Sequence, residues 1–437
     1  MVKSTDAPRP RRRQPKKRRI GIFGGTFSPI HYGHLICAEQ MRYAFQLDQV
    51  EFAVSANPPH KTFGVLDDDA RYEMTVAATE DHRFFNASRV DLDHGANGYS
   101  LHTVQAIKRQ YKGAELFYLS SAEYLDPSHK WTLKSWIGGK ELFKICTMIF
   151  FPRNTQELDQ LHEWAKLVPE ARILIADAPS PPISSTLIRD YVMAGRSIWY
   201  TTPWPVQQII QKKGYYRHPE SPMPARDPVP RDKIKRVAIY ASQFDPIHYS
   251  HLLFAESVRQ EEHCDRVVFI PLANPEYREE VAGSAEARYK MCVVATADNP
   301  FFEVSRADIN RHVTSYALSN VEDMEREFPG AELDYIISSD YVDPDHPLYL
   351  PTWFGAEELF KRVRFILRPT NMEEIEGIAR IEALAAKIKG ANIKVSYAPQ
   401  LPISEAGLRD MVRRGQPLQF CTPYAVQQSI AKHGLYR

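Results

Sequence analysis

His31 and His34 lie three residues apart in "GGTFSPIHYGHL" (24–35). Two imidazoles at that spacing, on the first turn of a helix, can both reach one anion. Just ahead of them, Gly24 and Gly25 let the backbone turn sharply and approach a ligand with no Cβ in the way. A helix starting here offers unpaired N–H groups and a positive dipole end, which together favour phosphate. Taken singly, two glycines read as an ordinary tight turn and two histidines as helix caps. The whole phrase, following an apolar strand, reads as an anion cradle.

Such groups need a scaffold. In the first half of the chain "RIGIFG", "VEFAVS", "ELFYLSS", "ICTMIFF" and "RILIAD" read as strands, separated by longer helical patterns. Residues 33–46 read as a helix, because Leu35, Ile36, Ala38, Met41 and Phe45 recur at three- and four-residue steps. Strands alternating with helices predict a parallel, doubly wound α/β sheet. Ligands in such sheets sit at the carboxyl ends of the strands, near the topological switch point. The histidine phrase stands at such an end.

The pattern is written twice. His31 and His34 recur as His248 and His251, an offset of 217 (248 − 31), which also carries "RYEM" (71–74) onto "RYKM" (288–291) and Trp136 onto Trp353. By "PISSTLIRD" (182–190) and "PISEAGLRD" (402–410) the offset is 220, and both copies close alike, with "GYYR" and "GLYR". Register kept over 200 residues marks a tandem duplication. The expected organisation is a basic tail over 1–17, a unit over 18–217, a Pro-rich linker over 218–235 and a second unit over 236–437. The fold class predicted is two tandem Rossmann-like doubly wound parallel-sheet domains.

"GGTFSPIHYGHL" resembles the signature of the nicotinate-mononucleotide adenylyltransferases, within the H-x-G-H nucleotidylyltransferase superfamily. "NPPHK" (57–61), "RYEM", "GYS" (98–100), Trp131 and "ISSTLIR" (183–189) follow in the family's order. The resemblance implies adenylyl transfer from ATP to nicotinate mononucleotide, giving deamido-NAD and pyrophosphate. It assigns His31 and His34 to the α- and β-phosphate oxygens and sets Gly24, Gly25, Thr26 and Phe27 beside ATP. Ser184, Ser185 and Thr186 look like an N-cap with spare hydroxyls and N–H donors for the β- and γ-phosphates, and Arg189 would pair with the same oxygens. Glu123 stands where the family's Asp meets ribose. On the mononucleotide side the resemblance implies Trp131 stacking on the pyridine ring, Tyr99 and Ser100 at its carboxylate and Lys61 at its phosphate. Magnesium is implied as the companion of ATP, and no carboxylate cluster marks a built-in metal site. Ser28, Glu123 and His94 depart from the family pattern, which bears on nicotinate against nicotinamide preference.

The second unit has lost parts of this set. Gly24, Gly25 and Gly33 become Ala241, Ser242 and Ser250, while Ser185 and Thr186 become Glu405 and Ala406. A carboxylate about 4 Å from a phosphate costs on the order of 4 kcal/mol at an intermediate effective dielectric. Lys61 becomes Arg278 and Trp131 becomes Leu348, although His248, His251 and Arg409 remain. The second unit is expected to be inactive and to serve as an intramolecular docking partner for the first.

Composition narrows the rest. The 437 residues carry 55 Lys and Arg against 54 Asp and Glu, so no global charge points to nucleic acid or membrane. The run "RPRRRQPKKRR" (9–19) is too polar to collapse and is expected to be disordered; a solvated tail and a nuclear-import or polyanion-binding signal are its two readings. No stretch approaches the roughly 18 apolar residues of a membrane span. Five scattered cysteines without a CxxC pair suit buried thiols and an intracellular, cytoplasmic setting, with a nuclear one as the alternative. Two other functions fit parts of the sequence: transfer to nicotinamide mononucleotide or another phosphate ester, and a nucleotide-binding scaffold with a nucleic-acid-binding arm.

Overall fold

The computed structural model describes residues 17–56, 64–93, 99–152, 157–176, 181–220, 227–275, 282–369 and 377–437. Two six-stranded sheets, all parallel, account for its strands. The first contains β1 (Arg19–Gly25), β2 (Gln49–Val54), β3 (Phe85–Ser88), β4 (Glu115–Ser121), β5 (Thr147–Phe151) and β6 (Ile173–Ile175), in the spatial order β3-β2-β1-β4-β5-β6. The second repeats that order with β7 (Arg236–Ser242), β8 (Arg266–Pro271), β9 (Phe302–Val304), β10 (Glu332–Ser338), β11 (Val363–Arg368) and β12 (Asn392–Val395). Helices cover both faces, so the inner strands read as near-continuous apolar runs instead of alternating ones. Ile20, Ile22, Phe52, Met148 and Ile149 are each fully buried. These are two Rossmann-like α/β domains in tandem.

All five strands read from the first half are present. The sixth, β3, is four residues long and lies at the sheet edge beside β2. It has one buried residue at each end and too little apolar content to announce itself. The first helix runs Tyr32–Ala44, one residue earlier than its hydrophobic spacing predicts, because His31 serves as its N-cap. The basic run ends sooner than its composition suggests. Arg19 opens β1, its N–H bonded to Asp48 Oδ2 at 2.7 Å and its guanidinium 4.4 Å above the Phe117 ring. The preceding residues 1–16 lie outside the described ones. All five cysteines are buried, Cys37 within the first helix.

The strand order reverses between β1 and β4: the chain leaves β1 for β2 on one side and returns for β4 on the other. In an open α/β sheet this is where a crevice opens at the strand ends. A buried arginine ties the crevice rim together. Arg71, fully enclosed, donates to the carbonyls of Leu66, Thr26 and Ser55 at 3.0, 2.8 and 2.9 Å and pairs with Asp68. It thereby holds the turn after β1 against the end of β2. Arg288 makes the equivalent bonds to Gly283, Gln243 and Leu272 in the second unit. This is what the repeated "RY-M" is for.

The two units meet through aromatic residues related by the repeat. Tyr32 packs on Tyr249, its counterpart, with ring centroids 4.8 Å apart. Tyr200 stacks on Phe302 at 5.9 Å, and their counterparts Phe420 and Phe85 stack at 5.7 Å. One hydrophobic cluster runs through both units here. Polar contacts at the seam are not reciprocal: Ser197 N–H donates to Gln260 at 2.7 Å and Arg196 pairs with Glu261 at 3.3 Å.

Candidate active site

At the carboxyl ends of β1 and β4 lies a cavity of about 690 Å³. Its lining brings together Gly24, Gly25, Thr26, Phe27, His31, His34, Tyr99, Ser100, Glu123, Trp131, Ser184, Ser185 and Thr186. These come from four separate stretches of chain, and thirteen of the fifteen residues singled out in the sequence share one wall. Arg189 is placed just behind it, and Lys61 lies outside the described residues, as do His94 and Gly98.

The histidines are fixed by the helix they begin. The His31 backbone N–H donates to His34 Nδ1 at 3.3 Å, and the two rings stack at 3.7 Å. Accepting at Nδ1 leaves the proton of the neutral ring on Nε2, so Nε2 is the donor that His34 offers. Phe27 stands edge-on to His34 at 5.0 Å, holding the ring from the other side. Phe27 does so from a left-handed backbone (φ 48°), next to a cis Ser28–Pro29 bond. The pair thus caps its own helix at the edge of the cavity.

Gly33 is needed because the histidine phrase and the "ISSTLIR" phrase touch there. A Cβ there would lie 2.8 Å from His31 Nδ1 and 3.0 Å from the Ile183 carbonyl. The glycines at the end of β1 make room for the protein as well as for a ligand: a Cβ on Gly24 would come 2.5 Å from the Tyr118 hydroxyl.

The hydroxyls of "SST" are not spare, which corrects the sequence expectation. Ser184 Oγ caps its helix by accepting from Leu187 N–H at 3.1 Å, and Ser185 Oγ donates to the Pro29 carbonyl at 2.9 Å. Thr186 Oγ1 accepts from Arg189 at 3.1 Å, and a second Arg189 nitrogen donates to the Ser28 carbonyl at 2.8 Å. The helix Ser185–Met193 therefore begins at the cavity wall, with Ser184, Ser185 and Thr186 in its lining, and the Ser185 hydroxyl and Arg189 lock it onto the turn after β1.

The other end of the cavity is aromatic. Trp131 is 39% exposed and Tyr99 lines the wall beside it. Ser100 Oγ donates to the Tyr118 hydroxyl at 3.0 Å, and burial raises the Tyr118 phenol, keeping it neutral. Trp136 meets Tyr118 and Tyr124 edge-on at 5.7 and 5.3 Å. Tyr118, Tyr124, Trp136 and Phe151 line the cavity without having been singled out. Only the recurrence of Trp136 as Trp353 hinted at one of them. Among the described residues no group of three or more His, Cys, Asp or Glu is placed to hold a metal ion.

The second unit differs at the cradle. Glu405, at the position of Ser185, brings Oε1 to 3.9 Å from His251 Nε2. Arg368 stands where the first unit has Phe151. Burial, reinforced by Arg368, pushes the His248 imidazole well below its ordinary value.

A cytidylyltransferase-like family model matches residues 22–191 and again 239–394. A probable nicotinate-nucleotide adenylyltransferase of Saccharopolyspora erythraea is 36% identical over 203 residues, 46% of this chain and 91% of that protein. One from Thermoanaerobacter sp. is 36% identical over 207 residues, 46% of this chain and 96% of that protein. The chain belongs to the cytidylyltransferase-like family, among the nicotinate-nucleotide adenylyltransferases. These relatives align with the first half, and the family model accounts for the second as another copy. A solved Plasmodium falciparum nicotinic acid mononucleotide adenylyltransferase covers 46% of this chain and 97% of its own, at 15% identity and a TM-score of 0.38. No helix among the described residues is long and apolar enough to cross a membrane.

Proposed function

We propose that the first unit, residues 18–217, transfers the adenylyl group of ATP to nicotinate mononucleotide, releasing pyrophosphate and forming deamido-NAD. The observation that carries this reading is the His31–His34 pair at a helix start, opening on one cavity that is polar at the cradle and aromatic at the far end. About 690 Å³ suits two nucleotides side by side. The acceptor's pyridine ring lies against Trp131 and Tyr99, with Ser100 and the Tyr118 hydroxyl near its carboxylate; Lys61, outside the described residues, remains the candidate that the resemblance offers for its phosphate. ATP lies along the ends of β1 and β4, its ribose near Glu123 and its triphosphate between the two helix starts. ATP brings its magnesium as part of the substrate.

No protein nucleophile is required. The acceptor phosphate attacks the α-phosphorus in line, pyrophosphate leaves, and catalysis comes from positioning and from donors aimed at the charge that develops. His34 Nε2–H and His31 act on the α- and β-phosphate oxygens, and the first-turn N–H groups of Ser185 and Thr186 on the leaving pyrophosphate. Arg189 acts from behind, holding that helix to Ser28. Its counterpart Arg409 makes the same bond to the Asp245 carbonyl in the other unit, at 2.6 Å, where the cradle has changed. That favours an anchoring role for Arg189 over direct phosphate contact.

The second unit, residues 236–437, joined through 218–235, does not carry out this reaction. Glu405 occupies the triphosphate side, and a neutral His248 adds no charge there. His34→Ala in the full chain is expected to slow pyrophosphate release from ATP and nicotinate mononucleotide by roughly a hundred- to a thousandfold. His251→Ala should leave the rate within about twofold. Comparable losses from both would refute a single active site.

A further inference from the structure

The second unit keeps a cavity of about 430 Å³ at the carboxyl ends of β7 and β10, within the roughly 300–1,000 Å³ of small-molecule sites. A copy that serves only as a buttress has no need of one. Its residues have changed in a consistent direction. At one end Tyr316 and Phe354 face each other with centroids 4.8 Å apart, and Trp353 lies beside them. Phe354 is 63% exposed, an apolar ring left for another ring to cover. In the middle Asp340, on the turn following β10, accepts from Ser338 Oγ at 2.9 Å. At the other end Arg368, the last residue of β11, replaces a phenylalanine and brings a guanidinium into the wall. It reaches Gln400 Oε1 at only 3.4 Å, the long end of hydrogen-bond range.

The geometry points to a second ligand site, one that takes a nucleoside monophosphate and does not turn it over. The aromatic end suits a planar heterocycle, the Asp340 carboxylate a sugar diol, and the Arg368 fork a single phosphate. The same features exclude longer ligands. Glu405 beside His251 closes the direction in which a triphosphate would extend, and Ser250 carries a side chain where the first unit has Gly33. The smaller volume agrees: room for one nucleotide where the first unit has room for two. Neither the identity of the first unit's substrate nor its activity enters this argument.

The test is a count of bound probe on the full chain by equilibrium dialysis, with nicotinate mononucleotide and with AMP, and with inorganic phosphate as the control. The expected result is that at least one mononucleotide binds at a site which Arg368→Ala weakens tenfold or more and Arg368→Lys weakens less. Ala317→Trp, which fills the aromatic end, should abolish that site while the chain still melts cooperatively. Phosphate alone should bind there at least tenfold more weakly than either mononucleotide. Trp131→Ala reports on the first unit separately, so a failed assignment there would still leave an Arg368-dependent site to be counted. If neither mononucleotide shows binding that depends on Arg368 and Ala317, or if phosphate binds as well as they do, the proposal is overturned.

Discussion

Ser28 and Asp245 occupy the same place in the two copies, and the difference is structural. Asp245 is fully buried and accepts from the Ala282 and Gly283 N–H groups and the Tyr436 hydroxyl, at 2.8, 3.0 and 2.6 Å, with Arg409 at 3.7 Å. Ser28 makes a lighter version, meeting the Tyr216 hydroxyl at 3.0 Å and Leu66 N–H at 3.3 Å. Both latch the turn after the first strand to the closing "G-x-Y-R" of their unit. Asp245→Ala, which strips an acceptor from three buried donors and leaves Arg409 without its carboxylate, should cost about 3–5 kcal/mol. Ser28→Ala should cost about 1 kcal/mol. Denaturant unfolding of the two variants measures both, and equal losses would refute the distinction. Ser28 looked in the sequence like a departure touching substrate choice, because its partner Tyr216 lies 188 residues away. The histidine phrase was legible for the opposite reason: its cap, donor and turn lie within a dozen residues. The spare hydroxyls misled most at Ser185, whose partner Pro29 is set by a helix docking on a distant turn, whereas the partners of Ser184 and Thr186 lie three residues along the same helix.

At the scale of elements, the edge strand β3 escaped the sequence and yet positions the seam between the units. His82, just before it, accepts at Nδ1 from Phe84 N–H at 3.3 Å and stacks on Phe85 at 3.7 Å and Phe420 at 5.3 Å. Burial, with Arg42 adding to it, lowers its pKa from 6.5 to about 4. Glu39, 3.4 Å from Nε2, is already engaged by Arg42. The folded ring resists a proton that the unfolded chain accepts from about pH 6.5 downward, so the unfolded state binds more protons between pH 6.5 and 4. Stability is therefore full above that window and falls as pH drops through it, by about 3 kcal/mol from this group. Asn299 shows how to remove the effect: it holds the same turn in the second unit, its Oδ1 accepting from Phe301 N–H at 3.0 Å. His82→Asn should keep the fold and flatten that part of the pH–stability curve. An unchanged slope in pH-dependent melting would refute the assignment. No periodicity could have announced a residue whose surroundings come from β3 and from the other unit.

The whole molecule has the form of a twofold dimer written as one chain. Among the aromatic contacts residue i meets j′ while j meets i′, which is the rule of an isologous interface, although the polar contacts do not follow it. The duplication was plain in the sequence, but the reciprocity was not, since Tyr200 with Phe302 and Phe420 with Phe85 are pairs that only the packing defines. Its centre matters for chemistry. Tyr32 directly follows His31, its N–H bonded to the Thr201 carbonyl at 3.1 Å, and its ring rests on Tyr249 of the other unit. The helix that carries the proposed phosphate donors is thus braced by a residue of the other unit, outside the cavity lining. Tyr249→Ala leaves a gap beneath that helix start and should cost about 3–5 kcal/mol of stability. It should also slow adenylyl transfer roughly ten- to a hundredfold, because a displacement of an ångström is enough to spoil in-line geometry. Tyr249→Phe keeps the ring that Tyr32 rests on and should retain most of the rate. Steady-state kinetics beside thermal melting separates the cases. A Tyr249→Ala chain that melts early but turns over normally would mean that the second unit is tethered to the first without bracing it.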